Sequence, residues 1–152
     1  MGDHEERRDL AAMLAPLARD LMAAEHPVLA RHGLTMWGYI VLGALEDEPR
    51  SSQAALAEGI GADKTRIIAT LDALQAAGLI TREPDPADRR ARILSITPAG
   101  RRARKGARDE IQRNEERLLG RLSETDRQAF LRAADVLSSL PATEVLTDPD
   151  AG

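Results

Sequence analysis

A chain of 152 residues is long enough for one domain with a real core. Its 43% hydrophobic content must fill that core with Leu, Ile, Val and Ala, because aromatics make up only 2%. The absence of cysteine excludes disulfides and thiolate metal sites, and the net charge of −4 argues at first against a polyanionic partner.

The acidic, polar start Met1-Gly2-Asp3-His4-Glu5-Glu6 does not read as a signal peptide. No apolar run approaches the roughly 20 residues of a membrane span, so a cytoplasmic protein without membrane contact is expected. Residues 4 to 30 read as the first helix, with Leu10, Met13, Leu14, Leu17 and Leu21 on one apolar face. Pro16 should kink it and Pro27 should end or bend it again. Such a helix exposes too much Leu and Ala to stand alone and asks for a second subunit. His32-Gly33 is a break, and Thr35 caps a helix from Met36 to Leu45 that is apolar enough to be buried on most sides. Gly38 and Gly43 lie inside it, each costing about 1 kcal/mol of helix preference against Ala. Close helix packing or room for a ligand would account for them. Glu46-Asp47-Glu48-Pro49 closes the element.

Ser52 is a good N-cap for a short helix through Gln53, Leu56 and Ala57, broken by Gly59 and Gly61. Asp63 then caps a second helix whose Ile67, Leu71 and Leu74 form one buried stripe. Gly78 stands where a helix C′ glycine belongs. Leu79–Arg82 and Arg92–Thr97 are rich in β-branched residues and read as strands, joined by an exposed, arginine-tipped loop over Glu83–Arg90. This order is a winged helix-turn-helix, whose default use is reading DNA. Thr97-Pro98 starts a long, charged helix to about Arg121, apolar only at Ile111, Leu118, Leu119 and Leu122. Ser123-Glu124-Thr125-Asp126 resembles a capping box for a last helix carrying Phe130, Leu131, Ala134, Leu137 and Leu140, which Pro141 stops.

Charge distribution answers the objection raised by the net charge. From Arg89 to Arg108 there are eight basic residues and no acid, and DNA responds to the local patch.

The run Gln53–Arg82, followed by Asp-Arg-Arg, a strand ending Ile-Thr and Pro98-Ala99-Gly100, resembles the multiple-antibiotic-resistance regulator (MarR) family. The resemblance covers residues 10 to 140 in architecture and the central third in motif. It implies a mainly α fold: a winged helix-turn-helix core with a small β-wing, flanked by N- and C-terminal dimerisation helices. The chain then forms one MarR-like domain over 1–152. Dimerisation helices occupy 4–32 and 98–140, the winged helix-turn-helix 34–97, and a loose tail 141–152. The resemblance further implies a homodimeric, sequence-specific regulator of transcription, a repressor relieved by a small aromatic or anionic effector. Without cysteine, the thiol-based sensing of some relatives is excluded.

A dimer predicts a pseudo-palindromic operator in double-stranded DNA. On the Asp63–Ala76 helix the outward residues are Lys64, Thr65, Arg66, Ala69 and Thr70. Arg66 is the first choice for reading guanine, with Lys64 and Thr65 on phosphates. Ser52 and Gln53 sit where a helix N-terminus grips phosphate. Ile68 and Ala69 depart from the polar or basic residues common in the family, and Ile68 serves either packing or a thymine methyl. In the wing, Arg90 is expected to enter the minor groove, oriented by Asp88 as in the family, with Arg89 and Arg92 on phosphates. For Arg101–Arg108 a solvated helix face is expected ahead of phosphate contact. An effector cavity would draw on Met13, Met22, His32, Met36, Trp37 and Tyr39, although Trp37 reads slightly better as core.

Two other functions stay open: a winged-helix module that binds a protein, and a metal-responsive regulator in which His26 or His32, with Glu25 near, joins carboxylates across the dimer. The histidine spacing is not a helical i, i+4 pair, and surface or cap histidines are the expectation. There is no glycine-rich phosphate loop, no nucleophile motif and no evident carboxylate pair in a pocket context, so neither an enzyme nor a cofactor is expected.

Overall fold

The computed structural model describes residues 7–48 and 51–141. The expected frayed start around His4, the closing Pro49 and the tail beyond Pro141 lie outside them. The elements in order are α1 (Leu10–Arg31), α2 (Met36–Asp47), β1 (Ser51–Ser52), α3 (Gln53–Ile60), α4 (Lys64–Ala76), β2 (Ile80–Pro84), β3 (Arg92–Ile96), α5 (Pro98–Leu119) and α6 (Glu124–Ser138). Packing divides the chain into two compact units after Gln112, inside α5. No single described helix is long and apolar enough to cross a membrane.

In the first unit the core is aliphatic, as the shortage of aromatics requires. Val41, Leu42 and Leu45 of α2, Leu71 of α4 and Leu94 of β3 have no measurable exposure. The predicted stripe of α4 is the buried one: Ile67, Leu71 and Leu74. Helices α2, α3 and α4 each start on a side-chain cap. Thr35 Oγ1 accepts the Gly38 N–H at 3.0 Å, Ser52 Oγ the Ala55 N–H at 3.1 Å and Asp63 Oδ1 the Arg66 N–H at 2.8 Å. The α4 helix ends on Gly78 with φ of 73°, where Gly78 N–H reaches Gln75 O and Leu79 N–H reaches Leu74 O. This paired closure needs a left-handed residue and so a glycine.

Two expectations about α1 are corrected, the first being its start, which falls at Leu10 and not at residue 4. Pro27 neither ends nor interrupts it, because the helix continues to Arg31 and its last turn is anchored by Val28 and Leu29, each 1% exposed. A proline removes one backbone bond, and two buried side chains just beyond it compensate. The upstream stripe stays outside this core, with Leu10, Met13 and Leu14 exposed. The α2 helix is also less enclosed than expected, since Ile40 is exposed and Trp37 and Tyr39 are half-buried.

The sheet has three strands in the order β1-β3-β2, all antiparallel. Ile80 pairs Ile96 and Pro84 pairs Arg92, so β2 runs two residues past the expected Arg82. The two-residue β1 was not anticipated, since two serines carry no strand pattern.

Thr97 joins the sheet to α5. Its N–H donates to Leu79 O at 3.0 Å, its hydroxyl donates to Gly78 O at 2.7 Å, and the same oxygen accepts the Gly100 N–H at 3.0 Å. In the second unit, Ser123 Oγ accepts the Asp126 N–H at 3.1 Å to start α6, and no residue of α6 is buried.

The close approach of α5 to Leu79 gives a test with an unusual sign. Replacing a helical glycine by alanine ordinarily gains about 1 kcal/mol. A Cβ on Gly100 would stand 2.2 Å from Leu79 O and 2.9 Å from Ile96 Cγ1. Gly100→Ala should therefore lower the unfolding free energy by about 1–3 kcal/mol in urea titration. A stabilised variant would contradict this packing.

Candidate nucleic-acid interface

Helix α4 divides its side chains between two faces. Ile67, Leu71 and Leu74 turn into the core, while Lys64, Thr65, Arg66 and Ile68 are exposed. Between the starts of α3 and α4 and the wing lies an open groove of about 910 Å³. It is lined by Ser52 and Gln53 from the α3 start, Lys64 and Ile68 from α4, and Asp88, Arg90 and Arg92 from the wing. Six of the predicted site residues thus meet in one place. Ile68, 45% exposed and facing that groove, is not extra packing.

The remaining predicted residues lie elsewhere. Thr65 and Arg89 are exposed outside the groove lining. Thr70 is half-buried and lines a separate cleft of about 250 Å³ with Gly33, Thr35 and Gly38. The Arg66 guanidinium lies over the Trp37 ring, 5.4 Å from its centroid.

The wing tip is held by its acids. Asp85 Oδ1 accepts the Ala87 N–H at 2.9 Å and Asp88 Oδ1 accepts the Arg90 N–H at 3.0 Å. Asp88 therefore fixes Arg90 through its backbone, and no ion pair to the guanidinium forms among the described residues. Side-chain acceptors of this kind shape tight turns without using the cation. Arg89 and Arg90 are left exposed.

Ion pairing sorts the basic residues. Arg82 is held by Asp72 and Gln75, Lys105 by Asp109 and Arg104 by Glu46. Lys64, Arg66, Arg89, Arg90 and Arg92 make no ion pair among the described residues. The expectation of a solvated Arg101–Arg108 face fails at Arg104. Its guanidinium lies 5.5 Å from the Tyr39 ring centroid, and a Cβ on Gly43 would come within 3.0 Å of its Nε and Nη2. Gly43 thus serves close packing of an arginine, a contact that charge counting along one helix could not show.

The six residues named for an effector cavity are distributed. Met13 and Met22 are exposed on α1, while Met36 and Tyr39 pack half-buried against the core. His32 Nε2 lies 2.9 Å from Glu110 Oε2, and its ring fills the space beside Gly106, where a Cβ would stand 2.9 Å from Cε1. Arg31 Nε donates to Glu110 Oε1 at 3.1 Å. His26 is exposed, and no group of three His, Asp or Glu side chains suited to a metal occurs among the described residues. The Arg31 hydrogen bond, then the His32 one, holds the Glu110 carboxyl below its ordinary value.

Comparison with known proteins agrees with this geometry. The MarR family description matches residues 32–91. The transcriptional regulator HosA of Escherichia coli O111:H- is 33% identical over 99 residues, covering 65% of this chain and 73% of HosA. The transcriptional repressor CouR, solved bound to a 23-mer DNA duplex, superposes with a TM-score of 0.75 at 28% identity, covering 91% of this chain and 98% of CouR. The regulator PcaV of Streptomyces coelicolor, solved with its natural ligand, gives a TM-score of 0.64 at 27% identity, covering 87% of this chain and 96% of PcaV.

Two tests follow from the hydrogen bonds of this region. The Arg90 amide should exchange with solvent about three- to tenfold faster in Asp88→Ala, while Asp88→Asn, which keeps an acceptor, retains protection. Equal exchange in all three proteins would remove Asp88 from the wing. Because the folded pKa of Glu110 is lowered, its stabilisation is present above the unfolded value and lost as pH falls through the folded one. Glu110→Gln should be less stable than the parent at pH 7. The gap in thermal midpoint should close in acid, below about pH 4. A gap independent of pH would refute the assignment.

Proposed function

This chain belongs to the MarR family of transcriptional regulators, and from that premise we propose that it is a homodimeric repressor that binds a pseudo-palindromic operator and is released by a small effector. One observation carries the reading. Five cations that make no ion pair among the described residues, Lys64, Arg66, Arg89, Arg90 and Arg92, stand at the start of α4 and on the wing, and three of them (Lys64, Arg90 and Arg92) line one open groove. Internal acids neutralise neighbouring cations but leave these available for a polyanion, so the net charge of −4 does not prevent binding.

In this reading α4 enters the major groove. Arg66 offers two N–H groups to guanine O6 and N7, Ile68 meets a thymine methyl, and Lys64 and Thr65 hold phosphates. Ser52 and Gln53, at the N-terminus of α3, take a phosphate. Arg90 enters the minor groove, with Arg89 and Arg92 on the backbone. The exposed apolar residues of α1 (Leu10, Met13 and Leu14) and those of α6 (Phe130, Leu131, Val136 and Leu137) suit burial against a second copy. Two-fold symmetry then sets half-sites about 34 Å apart.

The effector, of small aromatic or anionic class, would contact the residues around Met36 and Tyr39, with Met13, Met22, His32 and Trp37 at the margins. It releases DNA only if it binds more tightly to the dimer whose reading helices are wrongly spaced.

Selection from a random duplex pool, followed by affinity measurement against salt, tests the whole reading. A two-fold symmetric site with steep salt weakening is expected. No enrichment at low or moderate salt would favour a protein-binding module instead. On the selected duplex, Arg90→Ala should weaken binding to all sequences and reduce the salt slope by about 1, while Arg66→Ala should relax discrimination by about 1–3 kcal/mol at few positions. Parent-like binding by both variants would refute the site.

A further inference from the structure

The stack of Arg66 on Trp37 is a contact that the outward position of Arg66 does not by itself require. Trp37 is the only tryptophan of the chain and stands half-buried in the first turn of α2. That turn is fixed from both sides. Thr35 caps it through the Gly38 N–H at 3.0 Å. Gly38 faces α4, where an added Cβ would stand in ordinary contact at 3.4 Å from Leu74 Cδ2. The indole is therefore held by the core side of the lobe, and the arginine over it belongs to the reading helix.

A guanidinium stacks through its face and hydrogen-bonds through its edge, so the two uses are compatible. Among the described residues the Arg66 guanidinium makes no hydrogen bond or ion pair. Arg82, by contrast, spends its edge on Asp72 and Gln75. An exposed arginine with no such restraint loses rotamer freedom when it binds a base, and that ordering opposes recognition.

We propose that Trp37 is a positioning residue for base reading: its ring holds the Arg66 guanidinium in one orientation before DNA arrives, leaving the N–H edge for guanine. This rests on the reading of α4 as the base-contacting helix. Trp37 touches no base. It sets how sharply Arg66 discriminates.

The test uses the parent chain, Arg66→Ala, Trp37→Leu, Trp37→Phe and the double variant Arg66→Ala/Trp37→Leu. Each is titrated with the duplex that the parent selects and with duplexes changed one base pair at a time. Trp37→Leu should lose about five- to tenfold discrimination at the base pair where Arg66→Ala loses it, with other positions and the salt slope unchanged. Trp37→Phe keeps an aromatic face and should recover most of the loss. The double variant should discriminate no worse than Arg66→Ala alone, since the ring acts only through the arginine. A Trp37→Leu variant that weakens all duplexes alike, or whose effect adds in full to that of Arg66→Ala, overturns the proposal and leaves Trp37 a packing residue. A parent that selects no sequence fails differently, because it refutes the reading helix itself.

A second measurement leaves Trp37 intact. The emission maximum of the single indole should differ between the free parent and free Arg66→Ala, and should change little when the parent binds its duplex. Identical emission from the two free proteins, or a shift on binding to the Arg66→Ala position, means that no persistent stack exists and also overturns the proposal.

Discussion

The rotation of α4 about its own axis is the constraint on which the rest of this structure depends. Burial of Ile67, Leu71 and Leu74 fixes it, each side chain contributing about 1.5–3 kcal/mol. A helix turned by one residue would advance about 100°, sending Arg66 or Asp72 toward the core and leucine toward solvent. The ends are pinned as well, by the Asp63 cap at one and the Gly78 closure at the other. With rotation and both ends set, Lys64, Thr65, Arg66 and Ile68 have no alternative but to face outward. The functional surface is a by-product of how the core side packs.

Charge follows the same division between inside and outside. The eight basic residues between Arg89 and Arg108 look uniform along the chain, yet the fold separates them by partner. Arg104 lies with Glu46, Tyr39 and the backbone of Gly43 between α5 and α2, while the wing arginines stand clear because Asp85 and Asp88 accept backbone N–H groups. An acid next to an arginine in sequence does not neutralise it when the carboxylate is already committed to a turn. For this reason the Asp-Arg-Arg sequence can be both a rigid tip and an available cation pair.

Much of this was legible in the sequence because it is local. The caps at Thr35, Ser52, Asp63 and Ser123, the C′ glycine at Gly78 and the α4 stripe all depend on residues within four positions of one another. The six site residues that line one groove were placed by the same local reasoning, applied to the helix starts and the wing. What escaped depends on neighbours far apart in the chain. Pairing of Ser51-Ser52 with Leu94 and Ile93, the seat of Arg104 on Gly43 and the Arg66–Trp37 stack bring together residues 29 to 61 positions distant. Pro27 misled for a related reason: the local rule against helical proline was outweighed by burial of Val28 and Leu29 in a core that other elements supply.

Helix α2 gains its significance from those long-range contacts. Within one helix of 12 residues, Trp37 and Gly38 face α4 while Tyr39, Gly43 and Glu46 meet Arg104 of α5. Gly43 allows Arg104 to approach closely and Gly38 packs against Leu74, so displacements of α2 disturb packed neighbours on two sides. A ligand seated near Met36 and Tyr39 therefore cannot move this helix without disturbing either the Arg104 seat or the Trp37 ring under Arg66. The effect on DNA binding would then have two separable parts. In the proposed dimer, displacement of the whole lobe would change the spacing of the two α4 helices and weaken every operator alike, whereas displacement of the indole alone would blunt the proposed choice of base. Bistable packing favours the first, because interfaces between rigid elements switch more readily than a single side chain held by a capped helix turn.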